Sequence, residues 1–545
     1  MTDGTIRSRR SLRQIVFVAI ALASCVLYGA AVLALHQQSQ WDNERDSMAV
    51  AVSHLAYGAP LGAVATNVER YFMQRPVDSA GLPLKTTRIL AYDPEEAIAA
   101  TAGGSMPSGG IRMYAIDGTG AGLPMFYTIA MAMFGAHVSS LVALYLIAVG
   151  TSVVAFAWRF RDQRLFVVVL YFLIMSVMLL TPLCWSQFNV NTAPIGGYRL
   201  CTLVAILPAL HLYFEIVESS DHARSKLEIS NLLALFVQGA LFFAIMLARS
   251  SAGYLLIVVM LIFILRLYRG EIKGALRSPL GCKLAIWGAP LLIWVAIVVV
   301  AMPQYVKEGR VFGIFWHRAL VSLSLHPQWP FGDMRQIYDC RKFIPTVLDH
   351  TTDDSNGHCV WFADPSNATR DINSVARELY GGAYEKAMRR AYFYVLFHYP
   401  KQFFEVHAYV KSRMIWNALT DAGHNLFQLG NAPVAKPVFA IVAAQLLLLI
   451  SFVIMAAAAG LKAIDGKMLF FPTAFLVSLL PLYVAWAAPW TTADTVFLLY
   501  CCVALVPALF LQWAAGMVFS WWTRAPVRPK QIITAGVAES RHTSL

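Results

Sequence analysis

Trp41-Asp42-Asn43-Glu44-Arg45-Asp46 follows closely, after five polar residues, on the first long apolar segment of the chain, residues 15–35. A helix needs about 20 apolar residues to cross a bilayer, so that segment is long enough to be a span. The six residues then stand at its far end. Membrane exits usually carry Trp, Tyr, Lys or Arg as interfacial anchors, and Trp41 fills that role. Three carboxylates do not, because they neither anchor to headgroups nor follow the positive-inside bias. Asp42, Glu44 and Asp46 therefore read as part of a site facing away from the cytoplasm. The other reading is an acidic linker just beyond a helix end.

Composition agrees with a membrane-embedded chain. Of 545 residues, 58% are hydrophobic and 14% charged, with a mean hydropathy of +0.58. A soluble protein carries about 25% charged residues. The formal charge of +12 lies largely in short basic segments between apolar ones, where it sets orientation rather than marking a nucleic-acid surface. Residues 15–35 exceed the core of a signal peptide, and no clean small-x-small site follows, so they are expected to be retained as the first span.

Working outward, Arg7, Arg9, Arg10 and Arg13 place the N-terminus in the cytoplasm. The chain divides into residues 1–35 (N-terminus and first span), 36–138 (first outer loop with surface helices), 139–302 (transmembrane core), 303–434 (large, mainly helical outer loop), 435–520 (C-terminal spans) and 521–545 (cytoplasmic tail). Residues 45–57 are expected to be helical, and Gly103, Gly104, Pro107, Gly109 and Gly110 mark a flexible stretch. As one helix, residues 124–160 would run about 55 Å. Arg159, Arg161 and Arg164 put its far end inside, so 124–135 is expected along the outer surface and 139–158 across the membrane. Further spans fall at 165–183, 198–214, 232–247, 254–267, 284–302, 437–459, 468–487 and 496–518. Arg224 and Lys226, the run from Arg266 to Lys283, Lys462 and Lys467, and Arg524 to Lys530 then all face one side. The expectation is an all-α polytopic membrane protein with about ten spans, two long periplasmic loops and both termini cytoplasmic.

Within the late loop, Tyr380, Tyr384, Met388, Tyr392, Val395, Leu396 and Tyr399 recur at helical spacing. This stripe reads as packing, with a sugar-stacking surface as the alternative. Pro400 ends that helix and residues 403–414 can form another. Cys340 and Cys359 are the two cysteines of the long loops, 19 positions apart among eight in the chain. In an oxidising periplasm they could close a loop, restricting the unfolded chain by about 3 kcal/mol. Metal ligation by His350, His358 and the two thiols is the alternative, without the spacing of a known metal motif.

Walker, GxSxG, HExxH and Rossmann patterns are missing. What remains is chemistry at the membrane face. Arg199 and Arg249 stand at the outer ends of two spans, where a planar fork suits a lipid-linked phosphate; snorkelling to the interface is the bland alternative.

One span, an Asp42-centred start to a long outer loop, and Asp117-Gly118-Thr119-Gly120-Ala121-Gly122-Leu123-Pro124-Met125-Phe126-Tyr127 leading into a surface helix together resemble the GT-C superfamily of membrane glycosyltransferases, including the protein mannosyltransferase and aminoarabinose-transferase types. The family's first-loop acid is commonly an Asp-Glu pair. Here Asp42 matches the first member, Asn43 takes the second position, and Glu44 is offset by one. The late loop, with Phe315-Trp316-His317, His326-Pro327-Gln328-Trp329-Pro330-Phe331-Gly332 and Asn356-Gly357-His358-Cys359, resembles bacterial proteins on the same scaffold and implies no substrate.

The resemblance implies a bacterial inner (cytoplasmic) membrane and a sugar donor on a polyprenyl phosphate. The acceptor would be an envelope lipid, glycan or protein. Asp42 would be the catalytic base, with Glu44 as helper or contact to a divalent cation. Asp46, Arg199, Arg249 and His317 would bind substrate. Membrane lipids are the other expected partners and nucleic acid is not one. Three competing readings stay open. A lipid-linked oligosaccharide polymerase or ligase would use His317, His326 and His358. A transporter would need ionisable groups near the bilayer midplane, where His211 is the exception in otherwise apolar spans. The third is a scaffold without catalysis.

Overall fold

The structure, a computed structural model, describes residues 23, 26, 45–68, 98–99, 111–113, 121–160, 204–218, 228–248, 252–269, 279–307, 315–334, 359–361, 363 and 382–413. Of these, 86% are helical. The expected spans at 15–35 (apart from residues 23 and 26), 165–183 and from 437 onward lie outside the described residues, as does the glycine-rich stretch 103–110.

The acidic stretch runs directly into α1 (Arg45–Tyr57). From Ser47 to Ser53 this helix is built from Ser, Ala, Val and Met, and the whole of that run is buried. Small side chains let other backbone approach from every side, so α1 is enclosed rather than lying on a surface. His54 Nδ1 donates to the Ala59 carbonyl at 2.7 Å just beyond the helix end. The chain then enters β1 (Ala63–Ala65), antiparallel to β2 (Ile111–Met113) with Ala63 opposite Met113. The Ala65 amide donates to Ser53 Oγ at 3.0 Å, fastening the strand to α1.

Next come α2 (Gly122–Phe134) and α3 (Val138–Phe160). They are separated at Gly135, whose φ of 95° is one an L side chain resists. The break is where the sequence reading put it. However, α2 buries Leu123, Pro124, Met125, Tyr127, Thr128, Ala130 and Met131 and packs on α1, α3 and α5.

The bundle continues with α4 (Ile206–Glu218), α5 (Ile229–Ala248), α6 (Gly253–Tyr268) and α7 (Pro279–Ala301). Residues 143–160 of α3, the whole of α5 and the whole of α7 are long and apolar enough to cross a membrane. The described part is thus that of an α-helical membrane protein by length and composition. α5 is central, packing on α2, α3, α4 and α7. Association of helices in lipid gains little from the hydrophobic effect and relies on close packing and hydrogen bonds. Both occur here. A side chain at Gly239 would overlap the Trp287 carbonyl of α7, and Trp294 Nε1 donates to the Ala240 carbonyl at 2.9 Å. Ser152 Oγ of α3 donates to Gln238 Oε1 at 3.0 Å, while Gln238 Nε2 donates to the Ser152 carbonyl at 2.6 Å.

Beyond α7 lie α8 (Pro303–Lys307), α9 (Trp316–Val321) with a 3₁₀ turn (Ser322–Leu325), α10 (Gly382–His398), and α11 (Pro400–Glu405) running into a π-helical turn (Val406–Val410). Leu320, Leu323, Phe331, Met334, Val360, Trp361, Tyr384, Met388, Ala391, Val395, Phe403 and Val406 make one core. Tyr384, Met388 and Val395 of the aromatic stripe are fully buried in it, while Tyr392 and Tyr399 pack on its edge. That stripe is packing.

Candidate functional site

The start of α2 and the end of α5 meet in backbone contact. A Cβ at Gly122 would overlap Ala248 N and the Leu247 carbonyl carbon, so only glycine permits the approach. Beside this junction is an apolar cavity of about 230 Å³, walled by Met125, Phe126 and Ile129 of α2, Leu144 and Tyr145 of α3, and Trp294 of α7, among others. Gly122 and Ala248 themselves line it. Among the described residues, its walls carry no carboxylate, amine or imidazole. That lining is suited to hold hydrocarbon.

Ala248 immediately precedes Arg249, and α1 begins one residue after Glu44. Asp42, Glu44, Arg199, Arg249 and Cys340 lie outside the described residues. Asp46 is the second residue of α1, described by its backbone alone. Of these residues only Asp46 belongs to a described element: α1, which carries it, packs on α2, and α2 closes on the last residues of α5.

His317 is enclosed in the late core with 2% of its surface exposed, and its Nδ1 stands 2.6 Å from the Tyr384 hydroxyl. The amides of Phe315, Trp316 and His317 all donate to the Glu385 carboxylate at 2.7–2.9 Å. Glu385 thus caps α9 from across the domain, a favourable place for a negative charge. Cys359 is buried and disulfide-bonded, so its sulfur is not available as a thiolate ligand. Its partner lies outside the described residues. Among the described residues, no group of three His, Cys, Asp or Glu side chains could hold a metal ion.

Two buried polar clusters escaped the sequence reading. In the bundle, Glu215 of α4 accepts from Arg159 of α3 through Oε1 and from Lys283 Nζ of α7 at 2.5 Å through Oε2. His211 is fully buried, with its Nε2 3.9 Å from the same carboxylate. Arg266 of α6 donates to the Ile216 carbonyl at 2.6 Å. Lys283, expected in a loop, belongs instead to α7, which begins at Pro279. In the late domain, Lys411 is fully buried, with Nζ 3.0 Å from Ser322 Oγ and 2.7 Å from His407 Nδ1. Burial drives the Lys411 ammonium well below its ordinary range and pushes the Tyr392 phenol up to about 12. At the surface, hydrogen bonds from Tyr399 and then Tyr394 hold the Asp333 carboxyl below its usual value, and the same bond raises Tyr399. Gly332 makes room for the Tyr399 ring there.

Compared with protein-family models, curated proteins and solved structures, the chain matches none of them.

Proposed function

We propose that this protein is a membrane glycosyltransferase that moves a sugar from a polyprenyl-phosphate donor to an acceptor at the periplasmic face. The observation that supports it best is the apolar cavity closed by Gly122 and Ala248. A lipid-linked sugar has a hydrocarbon chain that needs an apolar slot, a phosphate that needs a cation, and an anomeric carbon that must meet an activated acceptor. The cavity answers the first need. Arg249, the residue after the cavity-lining Ala248, answers the second, with Arg199 as its counterpart on another span.

For the third, the acceptor hydroxyl or amine must lose a proton as the new bond forms. A carboxylate within hydrogen-bond reach contributes about 10²–10⁴-fold as general base. Asp42 fills that role, with Glu44 as helper, on the segment entering α1. Electron density moves from the acceptor to the anomeric carbon, and the polyprenyl phosphate leaves with the bonding pair.

Two substitutions test the two halves of the reading. Asp42→Asn keeps the side-chain shape and removes the charge, so transfer should be abolished with expression unchanged; full complementation of a deletion strain by this variant would end the catalytic assignment. Ala244→Phe fills the cavity from α5. It should reduce crosslinking of the purified protein to a photoreactive polyprenyl phosphate, and undiminished crosslinking would remove the cavity as the donor's slot.

A further inference from the structure

α10 has two faces of different kinds. At about 3.6 residues per turn, positions 384, 388, 391 and 395 share one side and 386, 390, 393 and 397 the other. The first set is buried in the late core. The second is exposed, and a solvated helix would carry polar side chains along all of it. Here it begins with Lys386, Arg389 and Arg390, all exposed, and ends in Phe393 and Phe397, which are 39% and 73% exposed.

The two phenyl rings stack at 6.3 Å between centroids. Phe393 meets Trp316 at 5.4 Å, and Trp316 meets Phe315 at 4.6 Å. Phe315 is itself 39% exposed. The result is one connected patch of four aromatic rings bordered by three cations.

We infer that this patch docks the late domain on the phospholipid headgroups of the membrane, the rings entering the acyl boundary and the cations pairing with lipid phosphates. Three features select lipid as the occupant. The first is tethering: α7 is long and apolar enough to cross the bilayer, α8 follows it at once, and residues 308–314 let Phe315 stand no more than about 29 Å from Lys307 even when fully extended. The second is charge, because Lys386, Arg389 and Arg390 complement lipid phosphates, which both leaflets of a phospholipid bilayer present. The third is side-chain type. Three of the four rings are Phe, which gives a glycan no hydrogen bond but gives the headgroup–acyl boundary a wholly apolar ring, the pattern of interfacial helices. The docking is independent of the glycosyltransferase reading.

The experiment uses the full-length protein with Phe397→Cys as its sole reactive cysteine, labelled with an environment-sensitive nitrobenzoxadiazole dye and reconstituted into vesicles. Phe397 lies mostly outside the core, so the substitution leaves the domain's packing intact. In phosphatidylcholine vesicles with about 30% phosphatidylglycerol, emission should shift to the blue and fall about twofold with shallow spin-labelled lipids. Changing Lys386, Arg389 and Arg390 together to Gln should weaken that quenching, more so in the anionic vesicles than in pure phosphatidylcholine. A dye quenched by aqueous iodide and not by the lipid would overturn the docking. So would a dye shielded from both, which would mean that protein covers the patch.

Discussion

Glu215 binds two cations at once in the interior of the bundle, and this makes it the most consequential single side chain described. Its own side chain is 2% exposed, against 14% for Arg159 and 9% for Lys283. Removing one partner of a buried pair leaves the others desolvated and uncompensated, which typically costs about 3–5 kcal/mol. Glu215→Gln should therefore lower the unfolding midpoint of the detergent-solubilised protein strongly. Adding Lys283→Met should restore part of the loss, since one stranded charge is then gone. An unchanged midpoint for Glu215→Gln would show that the cluster contributes nothing to stability.

Lys411 presents a different situation, a buried amine within hydrogen-bond distance of Ser322 Oγ and His407 Nδ1. Its ammonium form is disfavoured by burial in the folded state only. In the window between its folded value and the ordinary lysine value of about 10.4, the unfolded chain binds more protons, so stability rises with pH there. Below that window the full penalty is present. Lys411→Met should thus stabilise the protein at neutral pH by about 1–3 kcal/mol, less the two lost hydrogen bonds. The gain should shrink as the pH approaches 10. A variant destabilised equally at every pH would refute this reading of the buried amine.

At the scale of elements, two glycines set how closely helices approach. Gly122 lets α2 touch the backbone of α5, and Gly239 lets α5 touch the backbone of α7. In both places the obstacle to a methyl group is main chain, which cannot rotate away as a side-chain tip can. Gly239→Ala should cost about 1–3 kcal/mol through overpacking. Gly122→Ala should cost a similar amount and also open the cavity rim. Thermal unfolding of the two variants checks the first effect, and crosslinking to a photoreactive polyprenyl phosphate checks the second.

The same elements indicate what the sequence could and could not reveal. The helix over residues 45–57, the break at Gly135 and the core stripe of α10 were legible because each rests on local periodicity or on one residue's backbone preference. The ion cluster was not. Its members are 56 and 68 positions apart, and Lys283 read as a loop marker because a charge beside an apolar segment ordinarily marks its end. The burial of α1 was equally hidden, since a run of Ala, Ser and Val has no pronounced apolar face. Of the candidate site, the motif at Gly122 and the position of Arg249 could be picked out singly; the contact of Gly122 with Leu247 and Ala248 is backbone packing, which no local pattern encodes.

For the whole molecule, we propose an orientation from charge parity. Every short basic segment falls on one side only if residues 36–123 and 303–434 face the other, since one miscounted span would reverse all later segments. The disulfide at Cys359 is an independent sign in the same direction, because disulfides persist in the periplasm and are rare in the cytosol. The two arguments can fail separately. Lys401 is 82% exposed in the late domain, so Lys401→Cys, in a background without other reactive cysteines, should react in intact cells with a thiol reagent that enters the periplasm but does not cross the inner membrane. Cysteines placed at Asp221 or Lys273 should react only after that membrane is opened. Labelling of either position in intact cells would overturn the map. In protein purified without reductant, non-reduced peptide mass spectrometry should find Cys359 joined to Cys340, the other cysteine of that loop. Free thiols at both positions would remove the second argument while leaving the first to stand or fall on the labelling.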